Sequence, residues 1–267
     1  MASLETVGPH AIPPNVLEMD LGLLDAPSIR PPALELAPAE QTRVAADRVA
    51  TALHAGTKRA FDIAIALVVL LVLAPVLVAV ALLVVLESPG PVFYRAERIG
   101  YRGRPLRMLK FRKMYDGASG PALTLAGDRR LTRVGAVLAR TRLDEAPQLW
   151  HILRGEMSLV GPRPEDPRFV ACHPDEFSRI LAVRPGLAGW SQLAFADEGR
   201  LLSREDPHAH YVRAILPQKV ALDVMYAERV SLRRDLKILA AVSVAVGLRL
   251  PIVVNPATGA LTLRRRR

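Results

Sequence analysis

Asp144 and Glu145 stand side by side in RTRLDEAPQLW, residues 140–150, behind Arg140 and Arg142 and ahead of Pro147 and an apolar run. Two readings of this pair are open. Asp is a favoured helix N-cap, Glu suits a first turn, and a proline there costs no intrahelical bond. The same placement prepares chemistry, because backbone N–H groups at a helix start lower a carboxylate's pKa and attract phosphate. An Asp kept ionised in this way can attack phosphorus and form an acyl phosphate. Its neighbour Glu can hold a divalent cation that bridges phosphate oxygens. Capping and catalysis do not compete.

Arginines surround the pair: Arg133, Arg140 and Arg142 before it, Arg154 and Arg163 after it. Arg suits bidentate phosphate contacts, and Arg163, set between Pro162 and Pro164, has the least conformational freedom.

The elements that position these residues begin with a hydrophobic run, AFDIAIALVVLLVLAPVLVAVALLVVL, residues 60–86, whose only charge is Asp62. It exceeds the roughly 20 residues needed to cross a bilayer and starts too far into the chain for a signal peptide. Both flanks are basic: Lys58 and Arg59 precede it, and Arg95, Arg98, Arg102, Arg104 and Arg107 follow it. Both ends therefore prefer the cytoplasmic side. Pro75, near the middle, removes a backbone hydrogen bond and predicts a kink or break. A re-entrant helix-break-helix and an ordinary kinked span both remain open.

After ESPGP, residues 87–91, VFYRAERIG and LRMLKFRKM read as strands of a basic β-hairpin around YRGRP. Two helical pieces follow, with Thr132 and Asp144 as caps and Gly155 as a terminator. SLVGPRPED and RPGLAGWSQL read as glycine and proline loops. From about residue 209 the chain reads as helical, with Asp235 as a cap of the last, interfacial or core, helix. The fold class expected is α+β, mainly helical: a membrane element that is either a re-entrant helix-break-helix or a kinked span, a small β-hairpin, and interfacial helices; the resemblance given below implies the re-entrant form, with the active site on the cytoplasmic side. Residues 1–56 read as a flexible proline-rich extension, residues 57–250 as the main domain, and the helix-friendly stretch 41–58 leads from one into the other. Residues 251–267 read as a basic tail that either meets anionic lipid or is solvated.

Composition narrows the partners. The formal charge of +10 favours anionic ones. The single cysteine, Cys172, excludes an internal disulfide and reads as a small buried hydrophobe. No nucleic-acid-binding motif is present and aromatics are few, so no nucleic-acid partner is expected.

Five stretches together resemble the bacterial sugar transferases, the monotopic polyprenyl-phosphate phosphoglycosyl transferases. They are KRAFDIAIALVVLLVLAPV, PVFYRAERIGYRGRPLRMLKFRKM, RLDEAPQLWHILRGEMSLVGPRPE, RPGLAGWSQL and LPQKVALDVMYAERVSLRRDLKIL, and they run from about residue 57 to 247. The resemblance implies transfer of a sugar 1-phosphate from a nucleotide-sugar, usually a UDP-sugar, to polyprenyl phosphate, for which undecaprenyl phosphate is the expected form. Nucleoside monophosphate is released, at the cytoplasmic face of the bacterial inner membrane, in the synthesis of exopolysaccharide or another glycoconjugate. It implies Asp144 as nucleophile and Glu145 as the Mg2+-binding partner. Lys110, Arg112, Arg140, Arg142 and Arg163 are then the candidate phosphate contacts, and Gln192, Asp223 and Asp235 further site positions. Membrane lipids are expected partners and a homo-oligomer is a candidate assembly. The family's hydrophobic helix is re-entrant and broken at Ser-Pro, where this chain has Ala74-Pro75. Ala139 stands where many relatives have Arg, and His151 where Asn is common. A glycosyltransferase releasing nucleoside diphosphate, or a non-catalytic basic membrane-tethered protein, are the alternatives.

Overall fold

The computed structural model describes residues 38–120, 123–125, 127–196, 198–203, 205–247, 252–254 and 261–263. The chain divides into two units, Met1–Arg48 and Val49–Arg267. The proline-rich residues 1–37 lie outside the described residues, and the described part of the first unit, residues 38–48, is helical.

Helix α1, Pro38–Glu87, takes in the helix-friendly stretch and the whole hydrophobic run. Its portion Ala55–Glu87 is long and apolar enough to cross a membrane. The break expected at Ala74-Pro75 is not an interruption, because α1 continues through Pro75. Proline deletes one donor, and opening the helix further would leave more backbone groups unpaired in apolar surroundings. Leu71, Val72, Val78 and Leu82 along its middle are exposed.

Strands β1, Phe93–Ile99, and β2, Pro105–Phe111, pair antiparallel around the turn Tyr101–Gly103, as the alternation and the Gly-Arg-Pro turn predict. Helix α2, Arg133–Thr141, is capped by Thr132, whose hydroxyl accepts from Gly135 N–H at 2.8 Å. A 3-10 turn, Leu143–Gln148, leads into α3, Leu149–Arg154, which ends at Gly155 in the left-handed region. Asp144 is not an N-cap. Arg142 holds that position, and Asp144 lies within the first turn without a capping bond.

The two stretches read as loops contain strands β3, Ser158–Val160, and β4, Gly186–Ala188, paired in parallel. Three residues are too few for an alternation signal. The pairing depends on glycine instead: a Cβ on Gly186 would lie 2.1 Å from Gly161 N, so only hydrogen permits the approach. Between the two strands lie α4, Pro167–Val170, and α5, Pro174–Ile180. Cys172, expected to be buried, is exposed just past α4, where its thiol donates to the Arg168 carbonyl. After β4 come α6, Trp190–Ala194, α7, Glu198–Leu201, α8, Pro207–His210, and a π-helical turn, Tyr211–Ile215. Helices α9, Leu216–Ala227, and α10, Leu232–Gly247, complete the helical part. Within the tail, β5, Ile252–Val254, pairs antiparallel with β6, Leu261–Leu263. The terminal arginines lie outside the described residues.

One core joins Ala66 of α1 to Met108, Ile152, Met157, Trp190, Tyr226 and Ile238. A second packs Phe169, Phe177 and Tyr211 against α9. A third seats Val80 and Val84 of α1 on Phe111 and Leu138. Strand β2 thus contributes to the cores at both ends of the apolar helix.

Candidate active site

The 3-10 turn lies along β2 and is buried through Asp144, Glu145, Ala146, Pro147 and Gln148. Lys110, near the end of β2, places Nζ 3.0 Å from Glu145 Oε1. Arg163 donates from Nη1 to Glu145 Oε2 at 3.1 Å, and its Nη2 also bonds Oε1. Both oxygens of Glu145 are therefore held by cations. Burial alone would raise its pKa, but Arg163 and Lys110 hold the carboxyl well below its ordinary range. Burial pulls Lys110 down to about 8 against the opposing pull of Glu145.

Asp144 differs. It is 3% exposed, and among the described residues no hydrogen bond reaches its carboxylate. Lys113 Nζ approaches Oδ2 to 3.6 Å. Burial raises the Asp144 pKa and Glu145 adds to this, while Lys113, Lys110 and Arg142 pull it back. The lowered pKa expected from a helix start is not found, because the short turn gives the side chain no backbone N–H and desolvation prevails.

The other expected phosphate contacts divide. Arg142, in the left-handed region at φ 60°, bonds the Ala196 carbonyl and faces Asp144 electrostatically. Arg140 is exposed on α2, and its side chain has no ion pair among the described residues. Arg112 is not at the site. It is buried with its guanidinium on the carbonyls of Ser88 and Pro89, just past the end of α1. Strand β2 ends at Phe111, so alternation no longer holds Arg112 on the Lys110 face, and carbonyls beyond a helix C-terminus attract a cation.

The Arg163 loop is fixed from behind. Gly161 N–H donates to the Ala188 carbonyl at 2.9 Å and Gly186 N–H to Pro162 at 2.8 Å. Beyond it, Lys219 Nζ lies 2.9 Å from Glu198 Oε2 and 3.5 Å from Glu165 Oε2. Lys219 also donates to the Tyr211 hydroxyl at 2.8 Å, which donates to Glu165 at 2.8 Å. Sequence reasoning missed Glu165, Glu198, Tyr211 and Lys219, although Glu165 adjoins the Pro-Arg-Pro triplet. It missed Lys113 too, for which the basic run KFRK was a usable signal. Gln192 donates to the Gly186 carbonyl at 3.4 Å and accepts from Ser191, so it braces β4. His151 braces β2. Its Nε2 accepts from Leu109 N–H at 3.1 Å, and Nδ1 lies 2.5 Å from Glu156.

Asp223 is buried near this network, with Oδ1 unpartnered among the described residues and its other contact to Ser191. Burial pushes its pKa up to about 7. Between about pH 4 and 7 the native state then keeps a proton that the unfolded chain has released, so stability falls as pH rises through that window. Asp223→Asn removes the cost. Thermal denaturation should show no advantage over the parent at pH 4 and one that grows to a plateau above pH 7, at most about 4 kcal/mol. A pH-independent difference would contradict the buried acid.

Asp235 does not cap α10. Ser231 does, its hydroxyl accepting from Arg234 N–H at 3.4 Å. Asp235 instead lies 2.5 Å from Lys58 Nζ and accepts from the Tyr226 hydroxyl at 2.7 Å. Lys58 is also 3.8 Å from Asp62, whose carboxylate accepts from the Ser158 hydroxyl at 2.7 Å. This cluster fastens α1 to the body that carries Asp144 and Glu145.

The described residues hold no group of three or more His, Cys, Asp or Glu side chains suited to a metal. Asp144 and Glu145 are hard oxygen donors, yet they already face Lys110, Lys113 and Arg163. A further +2 charge suits such a site when diphosphate oxygens supply the remaining ligands and the compensating charge. As hard oxygen donors the pair fits a hard divalent cation such as Mg2+ on those terms. As a whole the site has two carboxylates among four cations, an arrangement matched to an anionic diphosphate.

The profile of the family described as "Bacterial sugar transferase" matches residues 53–248. The "UDP-N-acetylgalactosamine-undecaprenyl-phosphate N-acetylgalactosaminephosphotransferase" of Aeromonas hydrophila is 39% identical over 58% of this chain and 39% of its own length. The "UDP-glucose:undecaprenyl-phosphate glucose-1-phosphate transferase" of Caulobacter vibrioides is 40% identical over 68% of this chain and 66% of its own. The "Exopolysaccharide production protein PSS" of Rhizobium leguminosarum bv. phaseoli is 38% identical over 68% of this chain and 90% of its own. The chain spans less than two thirds of the first two of these relatives.

Proposed function

The chain belongs to the bacterial sugar transferase family, and from that premise we propose that it transfers a sugar 1-phosphate from a UDP-sugar to polyprenyl phosphate, releasing nucleoside monophosphate. The observation that carries this reading is the contrast within the dyad. Glu145 is bonded by Lys110 and Arg163, whereas the buried Asp144 carboxylate takes no hydrogen bond among the described residues and is left to react.

An Asp144 oxygen attacks the phosphorus that bears the sugar. The bond from that phosphorus to the bridging oxygen breaks, and its electron pair leaves with the nucleoside monophosphate. No proton need move. Polyprenyl phosphate then attacks the same phosphorus through an oxygen, and the Asp144 carboxylate departs. Arg163 and Lys110 keep Glu145 ionised and add positive charge beside the diphosphate. Glu145 would hold Mg2+, which when bound would neutralise charge developing on the phosphate oxygens. The test is nucleoside monophosphate release by the full chain with Mg2+, polyprenyl phosphate, and UDP-glucose or UDP-N-acetylgalactosamine. Release of diphosphate instead would move the chain to the ordinary glycosyltransferases.

In this reading α1 enters and leaves the membrane by its cytoplasmic face. Support comes from its two ends, since Asp62 and Ala66 on one side of Pro75, and Val80 and Val84 on the other, all pack on the body that carries the dyad. Single cysteines placed at Gly56 and Asp116 in a Cys172→Ser background should react with an impermeant maleimide from the same side of sealed vesicles. Labelling from opposite sides would establish a span.

A further inference from the structure

Among the described residues, Lys113 is the only lysine or arginine with a nitrogen within 4.0 Å of the Asp144 carboxylate. Its backbone is clamped. Thr132 N–H donates to the Lys113 carbonyl at 3.1 Å, and at Gly135 a Cβ would lie 1.9 Å from that same oxygen, so α2 can approach only as glycine. Its side chain is not clamped. It is 24% exposed, and Nζ makes no hydrogen bond among the described residues.

The other cations of the site are engaged. Lys110 and Arg163 bond Glu145, and Arg142 bonds the Ala196 carbonyl. Lys113 is left as an uncommitted charge on a fixed stem, 3.6 Å from the reacting carboxylate without bonding it. Phosphorus must come within about 3–3.5 Å of the attacking oxygen, which brings its nonbridging oxygens beside Nζ.

Resting on the transfer reaction above, we propose that Lys113 is a further catalytic residue: its ammonium shifts from Asp144 to a nonbridging oxygen of the phosphoryl group as Asp144 attacks. The lysine keeps its protons. The Asp144–phosphorus bond forms, the bond to the leaving monophosphate breaks with its electron pair, and Lys113 neutralises charge that accumulates between these events. The contact strengthens in the transition state, so its loss should lower kcat more than it raises KM.

Lys113→Met, Lys113→Arg and Asp144→Asn are compared with the parent full chain, using whichever of UDP-glucose and UDP-N-acetylgalactosamine supports turnover. Single-turnover monophosphate release without lipid acceptor isolates the donor step from the acceptor's own phosphate. Lys113→Met should slow this step on the order of 10²-fold, the size of loss that follows removal of one donor aimed at developing charge. Donor KM should stay near the parent's, and Lys113→Arg should recover most of the rate. A Lys113→Met rate within about threefold of the parent, well short of that loss, overturns the proposal. So does an Arg variant as slow as Met, which would indicate packing rather than charge. Undiminished release by Asp144→Asn would overturn the underlying reaction instead, and this role with it.

Discussion

Asp144→Asn is expected to abolish nucleoside monophosphate release, by on the order of 10⁴-fold or more, and to eliminate any phosphosugar adduct on the protein. The side chains are nearly isosteric, so the turn Leu143–Gln148 should persist. An amide, however, cannot form the acyl phosphate. Stability should not fall with activity, because burial raises the Asp144 pKa and among the described residues no hydrogen bond reaches its carboxylate. A neutral group at this position relieves part of that desolvation. The combination separates this residue from a structural one, since a lost structural carboxylate would lower melting temperature along with rate. Steady-state turnover, intact-mass analysis after donor incubation and thermal denaturation check it together. A variant retaining release within about tenfold of the parent, far from the loss expected of a removed nucleophile, would remove Asp144 from that role.

Lys58→Met is expected to produce the largest loss of stability, about 3 kcal/mol, without touching the dyad. Lys58 Nζ lies 2.5 Å from Asp235 and 3.8 Å from Asp62, two carboxylates that are 1% and 2% exposed. Removing the shared cation leaves both buried and uncompensated. The estimate is taken at the lower end for a broken buried pair because the Lys58 side chain is itself 18% exposed. Burial already raises the Asp235 pKa and Lys58 pulls it back, so without Lys58 it must rise further. A carboxyl whose native pKa lies above its unfolded value loses stability as pH rises. The deficit of Lys58→Met should therefore be larger at pH 8 than at pH 5. Adding Asp235→Asn to Lys58→Met should restore part of the loss at pH 8. Denaturation midpoints of the full chain in detergent would show this, and equal deficits at both pH values would contradict the pairing.

What the sequence determined by itself is local in its physics. The adjacency of Asp144 and Glu145 is covalent. Thr132 and Gly155 act within four residues of the helix ends they terminate, the alternation of β1 and β2 with their turn lies within residues 93–111, and the apolar run of α1 is a contiguous property. Arg163 was legible because two prolines restrict it, and its bond to Glu145 spans only 18 residues. Tertiary structure decided what each charge faces. Arg112 and Lys110 are two residues apart, yet one meets carbonyls at the end of α1 and the other meets Glu145. Asp235 sits near the start of a helix, yet its partner Lys58 lies 177 residues away, and Ser158 reaches Asp62 across 96. The pairing of β3 with β4 depends on glycines at both Gly161 and Gly186, each unremarkable until the other is beside it. Whether Asp144 would have a lowered or raised pKa could not be read from its neighbours in sequence. Desolvation depends on everything that packs around a group, whereas a helix start is described by a few adjacent residues.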